Sequence, residues 1–176
     1  MKFKLIYVDP PWHFKTFSNK GEGRSAKNHY DILSLDKIKT FPVKHLFDDN
    51  SILLMWVIDP MLPEALEVIK DWGFKYKTVG FTWVKQNKNN NDYFTGLGYY
   101  TRSNPEMCLL ATRGKPKRLS KSVRQLIVSK RREHSRKPDE MYNLIEELCE
   151  GPYLEIFART KRANWSYIGN QLDKFK

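Results

Sequence analysis

The residues Asp9-Pro10-Pro11-Trp12 bring together a carboxylate, two successive prolines and a large aromatic ring. The prolines fix two φ angles and remove two N–H groups, which leaves a rigid corner with an aimed carbonyl. An amino group attached to a flat ring suits that corner. Such an amine has two N–H donors: the Asp9 carboxylate can accept one and the Pro10 carbonyl the other. Trp12 can stack on the ring face. The exocyclic nitrogen of adenine, N6, is a poor nucleophile because its lone pair is delocalised into the ring. Two acceptors draw that nitrogen toward tetrahedral geometry and localise the pair as it attacks. Their hold strengthens as positive charge develops, so it acts on the transition state. Without chemistry, the same residues read as a proline-stiffened turn.

Placing this corner requires a strand before it. Lys4–Val8 supplies one, because a residue ahead of proline is pushed to extended geometry. Ser51–Ile58 (SILLMWVI) is a continuous apolar run, as expected of a strand covered on both faces. Pro63 to Trp72 predicts a helix, with proline in its first turn and Gly73 just past its end. Thr78–Val84, Glu106–Ala111 and Tyr153–Ala158 predict further strands. Pro138 to Cys149 carries an apolar helical face and ends at Gly151-Pro152. Strands alternating with helices imply an α/β sheet with helices on its faces, in a single domain over residues 1–176. Two stretches stand apart as loops: 13–29, rich in Lys, Ser, Gly and Asn, and 86–104, with the run Lys88-Asn89-Asn90-Asn91-Asp92, two glycines and three tyrosines. Loops of that length in a compact domain are usually functional or disordered.

The chain has 176 residues and a formal net charge of +11, from 31 Lys+Arg against 20 Asp+Glu. That balance favours a polyanionic partner, most often nucleic acid. Apolar residues make up 40%, which excludes general disorder. Two cysteines build no disulfide framework and no signal peptide is evident, so a reducing cytoplasm is expected. No apolar run reaches the roughly 20 residues that span a bilayer. The histidines lack metal-ligand spacing, so no metal is expected. Between Lys115 and Arg132 eight basic residues, Lys117, Arg118 and Lys121 among them, occur with no acid. Such a segment can lie along phosphates.

The blocks LIYVDPPW, LLMWV, FTWVK, EMCLLATRGKP, HSRKPDEMYNLIE, LEIFAR and NWSYIGNQLD, in that order, resemble the DPPW-motif adenine N6-methyltransferases over nearly the whole chain. That family includes the catalytic subunit of the messenger-RNA adenosine methyltransferase and many bacterial and phage DNA-adenine methylases. The resemblance implies a Rossmann-like methyltransferase sheet with helices on both faces and a permuted, β-class motif order, the catalytic strand first and the main cofactor strand last. It also implies S-adenosylmethionine as methyl donor. Carried over residue by residue, Asp9 lies near the donor's amino group and Lys137 near its carboxylate. A lysine at a helix start also suits an anion on electrostatic grounds. Glu155, an acid inside an apolar strand, would accept the ribose hydroxyls. Arg159, Asn170 and Gln171 match further donor contacts, and Tyr30 matches a tyrosine near the donor. After LEIFAR the chain departs from the messenger-RNA enzymes, whose Arg-Pro-His-Asn is replaced here by Arg159-Thr160-Lys161-Arg162.

That departure tilts the expected substrate toward DNA, with RNA the alternative. A silent nucleic-acid-binding subunit is the rival reading of another class. A target adenine in a duplex must be flipped out, at a cost of a few kcal/mol. Stacking on Trp12, Tyr30 or Trp83 would offset part of this. Lys85 and the loops 13–29 and 86–104 would contact the target strand. A partner, either a second copy or another methyltransferase subunit, is expected to help grip a duplex.

Overall fold

The computed structural model describes residues 1–13 and 33–175. Tyr30 and nearly all of the 13–29 loop lie outside the described residues. Seven strands form one sheet: β1 (Phe3–Val8), β2 (Phe47–Val57), β3 (Lys75–Gln86), β4 (Glu106–Arg113), β5 (Leu126–Lys130), β6 (Tyr153–Ile156) and β7 (Trp165–Ile168), in the order β5-β3-β4-β2-β1-β6-β7. Among the described residues three α-helices accompany them: α1 (Leu35–Lys39), α2 (Leu62–Asp71) and α3 (Glu140–Leu148). All pairings are parallel except those of β4, which runs against both β2 and β3. The expected alternation of strand and helix breaks between β3 and β4. No helix carries the chain back there, so the loop delivers β4 at the rim where β3 ends and β4 must run backwards.

Alternate residues of the central strands feed two cores, because successive side chains point to opposite faces. Ile6, Val8, Leu53, Met55 and Val57 pack on one face with Ala65, Val68 and Ile69 of α2 and Trp72 just past its end. Leu5, Tyr7, Ile52, Leu54 and Trp56 pack on the other with Met141, Tyr142 and Ile145 of α3. Burial of each large aliphatic side chain contributes roughly 1.5–3 kcal/mol. The uninterrupted buried run of Ser51–Val57 follows from this two-sided cover. Trp72 donates its indole N–H to the Ile38 carbonyl (3.0 Å) and so ties α1 to α2. Gly73 leaves the helix at φ 84°, a conformation that favours glycine. Cys108 and Cys149 are both buried and unbridged.

The helix over 138–149 and the strands at 4–8, 51–58, 106–111 and 153–158 match the sequence expectation within a few residues. The expected strand at 78–84 is longer at both ends. Helix α1 and the edge strands β5 and β7, four or five residues each, are too short for a periodic pattern to have announced them.

Because six strands point the same way, their carboxyl ends gather on one rim. Val8, Val57, Gln86, Lys130, Ile156 and Ile168 end there, and β4 begins there at Glu106. On one side of β1 the chain continues to β2, and on the other side β6 joins it. Such a reversal of strand order opens a crevice beyond the carboxyl ends, the usual ligand position in open α/β sheets.

Candidate active site

The Asp9-Pro10-Pro11-Trp12 corner sits on this rim, one residue past β1. The Trp12 amide donates to the Pro10 carbonyl (2.8 Å), so the turn closes on itself. That carbonyl keeps a second lone pair. The Trp12 indole N–H donates to the Trp56 carbonyl at 3.0 Å, and the ring is only 5% exposed. Trp12 therefore anchors the corner to β2. The stacking surface expected of it is largely covered.

Behind the corner lies a chain of alternating charges. The Lys137 ammonium is 3.0 Å from Asp9 Oδ2 and 3.0 Å from Glu106 Oε1. Glu106 Oε2 is 2.9 Å from the Lys85 ammonium. Arg159 approaches Asp9 Oδ2 at 3.8 Å. Burial pushes the Glu106 carboxyl up, but the ammonium groups of Lys137 and Lys85 outweigh it and hold the carboxyl at about 2. Burial likewise pulls Lys137 down, and the two carboxylates more than reverse it, so Lys137 stays charged. Glu106 was not anticipated. It is the first residue of an apolar strand, and its two lysines are 21 and 31 positions away in sequence.

Glu155 lies on β6, beside Tyr7 in the register. Burial pushes its carboxyl up to about 7, although the Tyr142 hydroxyl donates to it at 2.9 Å. Asp9, Lys137, Glu155 and Arg159 line one narrow cleft, about 40 Å3 in volume, together with Tyr142 and Phe157. Phe157 takes a left-handed backbone, φ 61°, at the cleft wall. A bulky residue holds that conformation only where its surroundings enforce it.

The donor set of this cleft fits S-adenosylmethionine. Glu155 offers acceptor oxygens to ribose hydroxyls. Two of the three Lys137 N–H donors are committed to Asp9 and Glu106, and the third suits a carboxylate. Both cations beside Asp9 meet Oδ2, which leaves the lone pairs of Oδ1 for an N–H donor. Asn170 and Gln171 do not line this cleft. They follow Gly169, where an added Cβ would stand 2.2 Å from the Ala158 carbonyl, so glycine lets the chain pass close to the end of β6.

The residues expected to meet nucleic acid are scattered. Trp83, 4% exposed, lies in the core and donates its indole N–H to the Ser129 carbonyl (3.2 Å). It therefore offers a base no ring face. Lys85 turns inward to Glu106. The basic stretch 115–132 is not one track. Antiparallel β4 carries the chain to the amino ends of the other strands, where the Lys115 amide meets the Asn50 side chain (2.8 Å) and the Leu119 amide meets the Leu148 carbonyl (2.8 Å). Lys117, Arg118 and Lys121 stand exposed on that stretch. From Glu106 to Arg113 the separation is about 23 Å at 3.3 Å per residue. Strand β5 then returns Lys130 to the carboxyl rim. Among the described residues no group of three or more His, Cys, Asp or Glu is placed to hold a metal, and no helix is long and apolar enough to cross a membrane.

Residues 3–171 match the MT-A70 family model. The Type II methyltransferase M.MunI of a Mycoplasma species is 31% identical, over 97% of this chain and 78% of its own length. The N(6)-adenosine-methyltransferase MT-A70-like protein of Drosophila melanogaster is 32% identical over 98% of this chain, and the N(6)-adenosine-methyltransferase catalytic subunit METTL3 of Homo sapiens is 30% identical over the same share. The chain spans about a quarter of the length of those two, 27% and 28%. With the Asp-Pro-Pro-Trp corner on the carboxyl rim of an α/β sheet, and the family match running almost from end to end, the chain belongs to the MT-A70 family of methyltransferases.

Proposed function

We propose that this protein methylates N6 of adenine in DNA, with S-adenosylmethionine as donor. The observation that carries the proposal is the position of Asp9. It stands beside a rigid proline carbonyl and opens into the cleft that Lys137, Glu155 and Arg159 also line. When bound, the donor supplies an electrophilic methyl group. The chain does the rest. Lys137, Glu155 and Arg159 hold and orient, and the Pro10 carbonyl and Asp9 accept the two protons of the target amine. As the nitrogen becomes positive, the Asp9 carboxylate stabilises it, in a site already partly shielded from water. The methylated nitrogen is acidic enough to lose its extra proton to Asp9 or to water, so no separate base is needed.

DNA is preferred because the Mycoplasma relative, named as a Type II methyltransferase, is matched over most of its length, whereas the relatives named for adenosine are matched over a quarter. The near-equal identity of those adenosine relatives supports RNA as the second reading. The covered thiols of Cys108 and Cys149 agree with a cytoplasmic setting. The decisive experiment is radiolabelled methyl transfer to matched DNA and RNA oligonucleotides. Transfer to DNA, with adenine as the product base, supports the proposal, and transfer to RNA alone replaces it with the second reading. Asp9→Ala should retain nucleic-acid binding and lose transfer. A protein that binds oligonucleotides and shows no donor binding by calorimetry would be a silent subunit.

A further inference from the structure

The 86–104 loop is an ordered pair of small hairpins. The Asn87 amide meets the Asp92 carbonyl (2.9 Å) and the Phe94 amide meets the Lys85 carbonyl (2.9 Å), which closes the first. Gly96 and Ser103 bridge across the second, with the Gly96 amide 2.8 Å from the Ser103 carbonyl. An added Cβ at Gly98 would stand 2.1 Å from the Thr101 carbonyl, so the tip folds this tightly only with glycine there. Asn104 clamps the base of the loop. Its side chain accepts from the Lys85 amide (2.8 Å) and donates to the carbonyls of Lys85 (2.9 Å) and Phe94 (2.6 Å). The Arg131 guanidinium covers the Phe94 ring at 3.4 Å.

This scaffold displays large side chains, three of them aromatic, to solvent. Leu97, Tyr99 and Tyr93 are about two-thirds exposed, and Tyr100 is 94% exposed. Tyr99 and Tyr100 meet edge to face, 4.7 Å between centroids. Tyr100 also holds φ 63°, the left-handed region where a bulky residue is an outlier. A strained, exposed aromatic on a clamped hairpin protects no core and costs stability. The loop's own charges are mostly basic, Lys88 and Arg102 against the lone acid Asp92 in 86–104, and Lys130 pairs with Gln86 at its base. The loop leaves the sheet at Lys85 and returns at Glu106. Glu106 is two strands from β1, about 10 Å across the rim, and joins Asp9 through Lys137.

We infer that the 97–100 tip is a stacking platform for an unpaired nucleobase of the strand that carries the target, next to the base held at Asp9. The inference rests on the nucleic-acid reading above and adds to it the element that holds a flanking nucleotide. Exposed rings offer the π face, and the basic balance of the loop matches a phosphate backbone that runs past a stacked base. A second copy of the chain would face like charge at the same tip.

The test is fluorescence anisotropy of the full chain with single-stranded oligonucleotides that contain one adenine, either with natural flanks or with abasic flanks. Replacing Tyr99 and Tyr100 together by alanine should weaken binding to natural flanks on the order of 10-fold, the loss expected of one stacked base. It should not change binding to abasic flanks. Tyr100→Trp should restore affinity, and Tyr100→Gly should lose it while relieving the backbone, which separates ring from fold. Equal weakening on both flanks, or none, overturns the inference. Unchanged affinity with a lower mass by light scattering assigns the tip to self-association instead. Methyl transfer by the unaltered protein is measured beside these. If it methylates adenine while the tyrosine variants bind normally, the platform alone fails. If it binds no oligonucleotide, platform and function fall together.

Discussion

At the carboxyl rim, Asp9, Glu106, Lys85, Lys137 and Arg159 meet within 2.9–3.8 Å, and the Glu106 and Lys137 side chains are 12% and 11% exposed. At the amino rim the ion pairs are longer and open to water: Lys2 with Asp49 at 3.8 Å and Lys4 with Glu150 at 3.6 Å. Lys117, Arg118 and Lys121 stand exposed on that side. The residue types are the same and their environments differ. In water a pair of charges is worth about 0–1 kcal/mol, whereas removing one partner of a buried pair leaves a desolvated charge that costs about 3–5 kcal/mol. One rim is therefore built to hold charges in fixed positions. The other can only attract a polyanion. The first suits catalysis and the second suits capture, and a variant at either rim should show which.

The largest effect belongs to Asp9. Asp9→Asn keeps the size and removes the charge that meets the developing cation. Its kcat should fall on the order of 1000-fold, as when a preorganised partner of transition-state charge is lost. Oligonucleotide affinity should hold. A fall of less than about tenfold would show that the corner needs shape and not charge, and the contrast between rims would lose its meaning for catalysis.

Glu106→Gln comes next. It strips Lys85 and Lys137 of a shared counter-charge. The carboxyl is held below its ordinary value, so it stabilises the fold above pH 4.5, and that contribution is lost as pH falls through about 2. At pH 7 the loss should be about 3 kcal/mol in urea unfolding. Glu150→Gln, which breaks the exposed pair with Lys4, should stay within about 0.5 kcal/mol. Equal losses at the two positions would erase the distinction.

The contrast between the rims also explains what could be read from the residues alone. Apolar runs and helix stops were visible because periodicity and local turn chemistry are short-range properties. The buried strand at 51–58 and the helix at 138–149 are examples. The corner at Asp9 was visible because two prolines are rare and rigid. Glu106 was hidden because its meaning depends on Lys85 and Lys137, which the fold brings to it from two other segments. The course of the 115–132 segment was hidden for the complementary reason. Its charges are adjacent in sequence, yet β4 is antiparallel, and the chain crosses the sheet between Lys121 and Lys130. Trp12 and Trp83 looked like stacking rings because an indole carries no sign of which face will be covered.

Glu155 tests the carboxyl rim by pH. Its carboxyl is raised from an ordinary value near 4.5 to about 7, so the folded protein keeps a proton that the unfolded chain has released between those values. Stability therefore falls as pH rises through that window and is lowest above it. Glu155→Gln removes the penalty. The variant should gain up to about 3 kcal/mol over the parent at pH 8 and nothing at pH 4, with weaker donor binding at both. Urea unfolding at the two pH values checks it. A gain of equal size at both would mean that burial of this carboxyl is not what strains the site.

The smallest effect on folding and on kcat is expected at the amino rim, where Lys117, Arg118 and Lys121 are replaced together by glutamine. Stability should change by no more than about 0.5 kcal/mol, because the side chains are solvated. The signal lies in binding. The separation of about 23 Å between the rims is about seven nucleotide steps at 3.4 Å each. A five-nucleotide substrate seated at Asp9 cannot reach these residues, so its affinity should not respond. A duplex that extends ten or more base pairs past the target can reach them, and the slope of its log affinity against log salt should flatten by about one unit for each phosphate contact removed. A response from the short substrate would place the basic loop beside the reacting base, against the antiparallel course of β4. No response from either would leave the capture of nucleic acid to the cations of the carboxyl rim.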